Sequence, residues 1–273
     1  MMSFVERDLL LCAALRQDDE AATAWTRWET EFGLDDADGA AIALVPQIYR
    51  NLMAQGVAPE SLNSLKGIYR HQWAKSQRQL PALAEAFRAM HRASVTCVML
   101  GGLAMRMIYY PEPGFRPFTD ADIWIPCDLG STARQTLQNL GWQPLARSPL
   151  RRLKDRLRRR FYQTWAHPNG QKLHLHRHIA PQRPVAALDR TLASDATPVC
   201  LLEAPVLVLS PASMLRSLLS HERQLPPISM ADATWVIRTA GAPLEGSVVD
   251  DIARRHSPIR KHLRALAVAN AAS

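Results

Sequence analysis

Two aspartates one residue apart, Asp120 and Asp122 in "RPFTDADIWIP", stand at the head of an apolar run, and a glycine pair, Gly101 and Gly102 in "VMLGGLAMRMIYY", closes another. On a strand, alternate side chains share a face. Asp120, Asp122 and Trp124 then point one way while Ala121, Ile123 and Ile125 point the other. Two hard oxygen ligands side by side suit Mg²⁺, which takes one or two carboxylates and completes its octahedron with water and substrate phosphates. Glycine lets backbone N–H groups approach an anion closely where a helix begins. Each piece also has a plainer reading: a solvated strand end for the aspartates, a turn for the glycines. Their order, strand, Gly-Gly, helix, then Asp-x-Asp at a strand head, reads as two halves of one metal–phosphate site.

The elements that must position these residues are legible from periodicity. Val95 to Leu100 is an apolar run that suits a buried strand turning directly into a helix over Leu103 to Tyr110. Ile123 to Pro126 predicts a second strand, Ser131 to Leu140 a capped helix, and Trp142 to Leu145 a third strand. Phe161 to Trp165 and Lys172 to Ile179 predict a hairpin around "HPNG", since Asn-Gly favours a tight turn. Before residue 93 the spacing is helical throughout: Leu9, Leu10, Ala13 and Ala14, then Ile42, Val45, Ile48, Tyr49 and Leu52. Asp36 or Asp38 caps the second of these, and a third helix from Ser61 towards His91 is kinked or divided at Pro81. After residue 209, Ser210 and Pro211 open a helix with Leu215, Leu218 and Leu219 on one face. "ISMADATWVIRTAG" is a further helix, with two shorter ones to follow. The expected organisation is a helical region over 1–92, an α/β core over 93–209 and a helical region over 210–273.

Composition narrows the class. With 273 residues and 47% apolar content the chain can bury a sizeable core. Glu6, Arg7 and Asp8 interrupt the start where a signal peptide needs an apolar stretch, and no window reaches the roughly 20 apolar residues of a membrane span. The expectation is a soluble, cytoplasmic protein without membrane partners. Cys12, Cys97, Cys127 and Cys200 lack zinc-knuckle or disulfide-framework spacing and read as reduced thiols. Of the formal charge of +8, +7 falls within residues 147–160, "RSPLRRLKDRLRRR". If that run is helical, Arg152, Arg156 and Arg159 or Arg160 form a stripe opposite Leu150, Leu153 and Leu157. The stripe is either a solvated helix face or a contact for an anionic acceptor or nucleic acid. Trp25, Trp28, Trp73 and Trp235 fall at helical positions and read as core.

Residues 99–126, "MLGGLAMRMIYYPEPGFRPFTDADIWIP", resemble the polymerase-beta-type nucleotidyltransferase superfamily, and within it a bacterial nucleotidyltransferase group whose pattern reads roughly "hKGxALaxxlYpdPgxRpxxDiDllV". The match runs through Gly102, Leu103, Ala104, Tyr110, Pro113, Gly114, Arg116, Asp120, Asp122 and Ile123. "LVLSPASMLRSLLSHE" and "MADATWVI" resemble the same group's later helices. The resemblance implies a small mixed sheet with helices and a metal-assisted transfer of a nucleoside monophosphate from NTP to an acceptor. Gly101 and Gly102 would contact the triphosphate. Asp120 and Asp122 would bind Mg²⁺, or Mn²⁺ in its place. Arg116 and Thr119 are further candidates for the nucleotide, because a guanidinium grips phosphate oxygens bidentately; Arg116 could equally anchor its loop to a carboxylate.

One departure stands out in "KLHLHRHI". Aligning His176 with the histidine of the group's "vdLHwrl" puts His174 where a third metal carboxylate belongs. A neutral imidazole is a poor Mg²⁺ ligand. His174 is then a general base for the acceptor hydroxyl, assisted by His176; or a ligand, with His176 and His178, for a softer metal in a hydrolase; or the mark of a site that binds without turnover. Glu112 could supply the missing acid if its loop folds back. The acceptor is open between a small molecule, a peptide and RNA, and a catalytically impaired binding or regulatory module is the alternative from another class.

Overall fold

The computed structural model describes residues 2–145, 162–179, 186–219 and 226–240. Its first helix, α1 (Phe4–Leu15), starts where a capping box can form: Ser3 Oγ accepts from the Glu6 N–H and the Glu6 carboxylate accepts from the Ser3 N–H. After α2 (Asp19–Glu31), Asp38 caps α3 (Gly39–Ala54) by accepting from the N–H groups of Ala40 and Ala41. The long α4 (Leu62–Arg92) runs through Pro81 without dividing. Trp25 and Trp28 stack at 5.0 Å with both side chains fully buried. Trp73 departs from the core expectation: it is 42% exposed on α4, in a stretch where every near neighbour is polar or alanine.

The described strands form one seven-stranded mixed sheet in the order β3-β4-β5-β2-β1-β7-β6. Their ranges are β1 (Val98–Leu100), β2 (Ala121–Trp124), β3 (Gln143–Pro144), β4 (Tyr162–Ala166), β5 (Lys172–His176), β6 (Thr197–Leu201) and β7 (Ala204–Val208). All three residues of central β1 are buried, as a strand covered on both faces requires. It runs antiparallel to β2 and parallel to β7, and β2 runs parallel to β5. The remaining helices are α5 (Gly101–Ile108), α6 (Gly130–Asn139), α7 (Ala186–Ala193), α8 (Pro211–Leu219) and α9 (Pro227–Ala240). This is the mixed α/β class expected, with helices before and after the sheet.

Three local expectations need correction. The β6–β7 hairpin was not foreseen, since its turn residues Leu202 and Glu203 take φ of 45° and 65° without the Gly or Asn that usually marks such a turn. Ser131 does not cap α6; a 3₁₀ turn over Cys127–Leu129 leads into the helix, and Leu129 at the cap makes no side-chain bond. Of "HPNG", Gly170 takes the positive φ of 86° and its N–H bonds the His167 carbonyl, so the β4–β5 loop is longer than a two-residue turn. The two short helices expected after residue 241 and the basic run of 147–160 lie outside the described residues. No described helix is long and apolar enough to cross a membrane.

Candidate active site

The site forms where β1 ends. Leu100 pairs with Asp122 across the antiparallel ladder, so the chain enters α5 directly beside the Asp122 side chain. Gly101 turns that corner at φ 56°, and a Cβ there would lie 2.9 Å from Asp122 Oδ2. Only glycine fits both the backbone and the space. Gly102 is confined to a lesser degree, as its Cβ would sit 3.2 Å from both Nη atoms of Arg116. Leu100, at the cap of α5, offers no side-chain acceptor to the first-turn N–H groups, which leaves a donor-rich helix start next to two carboxylates.

The parallel β2–β5 ladder sets the other wall. Asp122 is the register partner of His174, and Trp124 that of His176. Partners in a ladder share a face, so aspartates and histidines converge. His176 Nε2 donates to Asp122 Oδ1 at 2.7 Å, and His174 Nε2 lies 3.5 Å from Asp120 Oδ2. The other ring nitrogen of His174, Nδ1, lies 3.0 Å from Thr164 Oγ1 on β4, whose position pairs with His174. The hydrogen bond from His174 holds the Asp120 carboxyl below the usual carboxylate range against the opposing effect of burial, with Lys172 and Lys75 adding positive charge nearby. Both aspartates remain about one-third exposed, at 34% and 32%, so their oxygens are accessible.

These side chains face a cavity of about 370 Å³. Asp120, Asp122, His174 and His176 form one side; Gly102, Arg116, Phe118 and Thr119 form the rest. Arg116 reaches it already engaged: Nε and Nη2 donate to the two oxygens of Asp232 on α9 at 2.8 and 2.9 Å, and Nη1 donates to the Pro117 carbonyl at 3.0 Å. Burial opposes its charge, but Asp232 outweighs that and raises its pKa above the ordinary arginine value. Tyr110 donates to the same carboxylate at 2.9 Å, and burial first, then Asp232, push its phenol well above the usual range. Arg116 therefore anchors the loop before Asp120 while presenting an edge to the cavity.

Other candidates fall elsewhere. His178 lies beyond β5 and its Nδ1 donates to Asp189 Oδ2 at 2.6 Å, while Asp189 Oδ1 accepts from the Ile179 N–H at 2.8 Å. Among the described residues no group of three or more His, Cys, Asp or Glu side chains is placed to hold a metal ion, so the His174, His176, His178 cluster of the hydrolase reading is not assembled. Glu112 pairs with Arg50 and does not line the cavity. Arg152, Arg156 and Arg159 lie outside the described residues. Sequence reasoning assigned no role to Asp232, Thr164 and Asp189; for Asp232 the signals were its place in "MADATWVI", which resembles the group's later helix, and an acid inside the apolar turn of a helix.

The residues present do fit a divalent ion of the Mg²⁺ type. Asp120 and Asp122 supply hard oxygens on one face, the glycine corner keeps space open beside Asp122 Oδ2, and the cavity leaves room for water and phosphate to fill the remaining positions.

Among solved structures, the fold is similar to the antibiotic-resistance factor ANT(2'')-Ia, at 12% identity and TM-score 0.46 over 70% of this chain and 99% of that one. It is also similar to an antigenic nucleotidyltransferase-like protein from Paracoccidioides brasiliensis, at 17% identity and TM-score 0.45 over 70% and 94% of the two chains. No curated protein sequence matches. The family model described as "Uncharacterised nucleotidyltransferase" matches residues 40–271, which takes in the glycine corner, both aspartates, both histidines and the Asp232 anchor; the chain belongs to that family of nucleotidyltransferases.

Proposed function

We propose that the protein transfers a nucleoside monophosphate from an NTP to an acceptor hydroxyl in the cavity beside Asp120 and Asp122, as a member of the polymerase-beta-type superfamily. The observation that carries this reading is the register Leu100–Asp122–His174, which sets the glycine corner, the aspartates and a basic side chain around one space. Asp120 and Asp122 would hold Mg²⁺ or Mn²⁺, which supplies charge neutralisation for phosphate oxygens. The first-turn N–H groups of α5 and the Gly101–Gly102 backbone receive the triphosphate, and Arg116 and Thr119 border it. The acceptor oxygen forms a bond to the α-phosphorus while the bond from that phosphorus to the bridging oxygen breaks, and pyrophosphate leaves. The hydroxyl proton passes to the His174 ring, whose imidazolium form faces Asp120 and is stabilised by that carboxylate. His176 holds Asp122 in place.

Lys172 and Lys75, whose charges reach Asp120, fit a site that receives a polyanion. The 93–209 segment carries the chemistry in this reading, with the helical 1–92 and 210–273 regions flanking it, in a cytoplasmic bacterial setting. The test is labelled NTP with Mg²⁺ or Mn²⁺ against wild type and the double substitution Asp120→Asn and Asp122→Asn. Metal-dependent nucleotide binding that the double substitution abolishes supports the reading; no binding at millimolar NTP overturns it.

A second reading, a nucleotide-binding module without turnover, is favoured by one feature. The third acidic position holds a histidine and one oxygen of Asp122 is committed to His176. Binding without pyrophosphate release across a panel of acceptors would establish it.

A further inference from the structure

Between Leu62 and Ala84, α4 carries four Lys or Arg residues and no Asp or Glu. A chain whose net charge outside residues 147–160 is only +1 thus concentrates positive charge on one helix and offsets it elsewhere. Lys66, Arg70, His71, Lys75 and Arg78 are all exposed, and among the described residues none of them forms an ion pair. Surface helices of ordinary proteins place acids four residues from such bases for mutual support. The omission here leaves an uncompensated field.

The cations follow helical spacing. Lys66, Arg70, Trp73 and Gln77 form one row, His71, Lys75 and Arg78 another, each stepping by three or four residues. Trp73, 42% exposed, stands inside the first row. Both rows connect to the site. With the Gln77 amide oriented to satisfy its neighbours, its oxygen accepts from Trp73 Nε1 at 3.1 Å and from Arg106 Nη2 at 2.8 Å. Arg106 lies 5.7 Å over the ring of Phe118, a wall of the cavity. On the second row, the Arg78 carbonyl accepts from Gln171 Nε2 at 3.0 Å, directly before the strand that carries His174.

We propose that this face of α4 binds a single-stranded nucleic acid and leads its end to the cavity, so that the acceptor of the proposed transfer is a terminal nucleotide. The proposal rests on the nucleotidyltransferase reading for its reaction, not for the surface itself. Cations alone would serve any polyanion; an open tryptophan ring among them is a stacking platform, which a base uses and an acidic peptide does not. From Lys66 to Arg78 the rows extend about 18 Å at 1.5 Å per residue, enough to follow several phosphates of one strand.

The experiment uses the full chain, a fluorescein-labelled RNA of roughly twelve nucleotides, the matching single-stranded DNA and a polyglutamate peptide of equal charge, read by anisotropy between about 50 and 200 mM salt. Wild type is expected to bind the nucleic acids and not the peptide. The double substitution Lys66→Gln and Arg70→Gln should flatten the salt dependence by about 1.4 in log–log slope, at 0.7 per lost phosphate contact. Trp73→Ala should weaken binding about fivefold or more at every salt concentration, and Trp73→Phe should restore most of it. Equal binding of polyglutamate, or strand binding that neither the glutamine pair nor Trp73→Ala alters, overturns the proposal. Mg²⁺-dependent NTP binding, measured separately on the same wild-type preparation, reports on the cavity. NTP binding retained with strand binding insensitive to α4 discards the surface alone; NTP binding lost with strand binding sensitive to α4 discards the transfer and keeps the surface. The RNA and DNA arms identify the sugar preferred.

Discussion

Asp122 and His174 are register partners on adjacent parallel strands, so the histidine projects beside the aspartate on the cavity face of the sheet. The resemblance predicts a carboxylate at that position. Substituting His174→Asp would place three carboxylates on one face, at the cost of the contact with Thr164 Oγ1. Each added carboxylate strengthens a hard-cation site. The expected outcome is Mg²⁺ affinity raised by about tenfold, equivalent to about 1.4 kcal/mol, measured by calorimetric titration with and without NTP. If turnover also rises, His174 is a weakened ligand position; if turnover falls while metal binding rises, His174 is the proton acceptor.

Gly101→Ala tests the corner. The substitution forces a Cβ to within 2.9 Å of Asp122 Oδ2 on a backbone at φ 56°, so either the aspartate moves or the helix start does. Strain at a left-handed position costs about 1–3 kcal/mol. A melting temperature lowered by several degrees is expected, together with loss of NTP binding greater than the stability change explains.

How much of this was legible beforehand follows from what each feature depends on. β1, β2 and the β4–β5 hairpin were visible because Gly101, Pro126 and Gly170 punctuate apolar runs, and helix starts at Asp38 and Ser210 use side-chain oxygens that carry their own signal. β6–β7 was hidden because Leu202 and Glu203 adopt positive φ with residues that seldom do. The aspartate motif showed itself locally. Its pairing with His174 and His176 depends on strand register across more than fifty residues, and the Arg116–Asp232 contact joins the loop before β2 to α9 across 116 positions. No local pattern encodes such partners; only the placement of an acid among apolar residues in "MADATWVI", and the resemblance of that helix, hinted at one.

The lowered pKa of Asp120 has a defined pH signature. A carboxyl whose folded pKa lies below its unfolded one contributes stability that is fully present above the unfolded value, near 3.9, and lost as pH falls through the folded value. Wild type and Asp120→Asn should therefore differ in melting temperature from neutral pH down to about pH 4, and the difference should shrink progressively below that. Thermal melts across an acid series check this. A gap that widens on acidification would contradict the His174 hydrogen bond as the cause.

Asp232 is the strongest structural candidate for a large single-site effect. It is 2% exposed and accepts from Arg116 twice and from Tyr110 once, so its removal strands a guanidinium that is itself 14% exposed. Breaking a buried ion pair from one side costs about 3–5 kcal/mol, because the remaining charge loses its partner without regaining water. Asp232→Ala should lower stability by that order in denaturant melts. Replacing both partners, Arg116→Met with Asp232→Leu, removes the stranded charge and should recover most of the loss. The same pair of variants separates anchoring from nucleotide contact. If the double variant is stable and binds NTP as wild type does, Arg116 serves the loop alone; if it is stable and NTP binding falls tenfold or more, about 1.4 kcal/mol, the guanidinium edge that borders the cavity also meets phosphate.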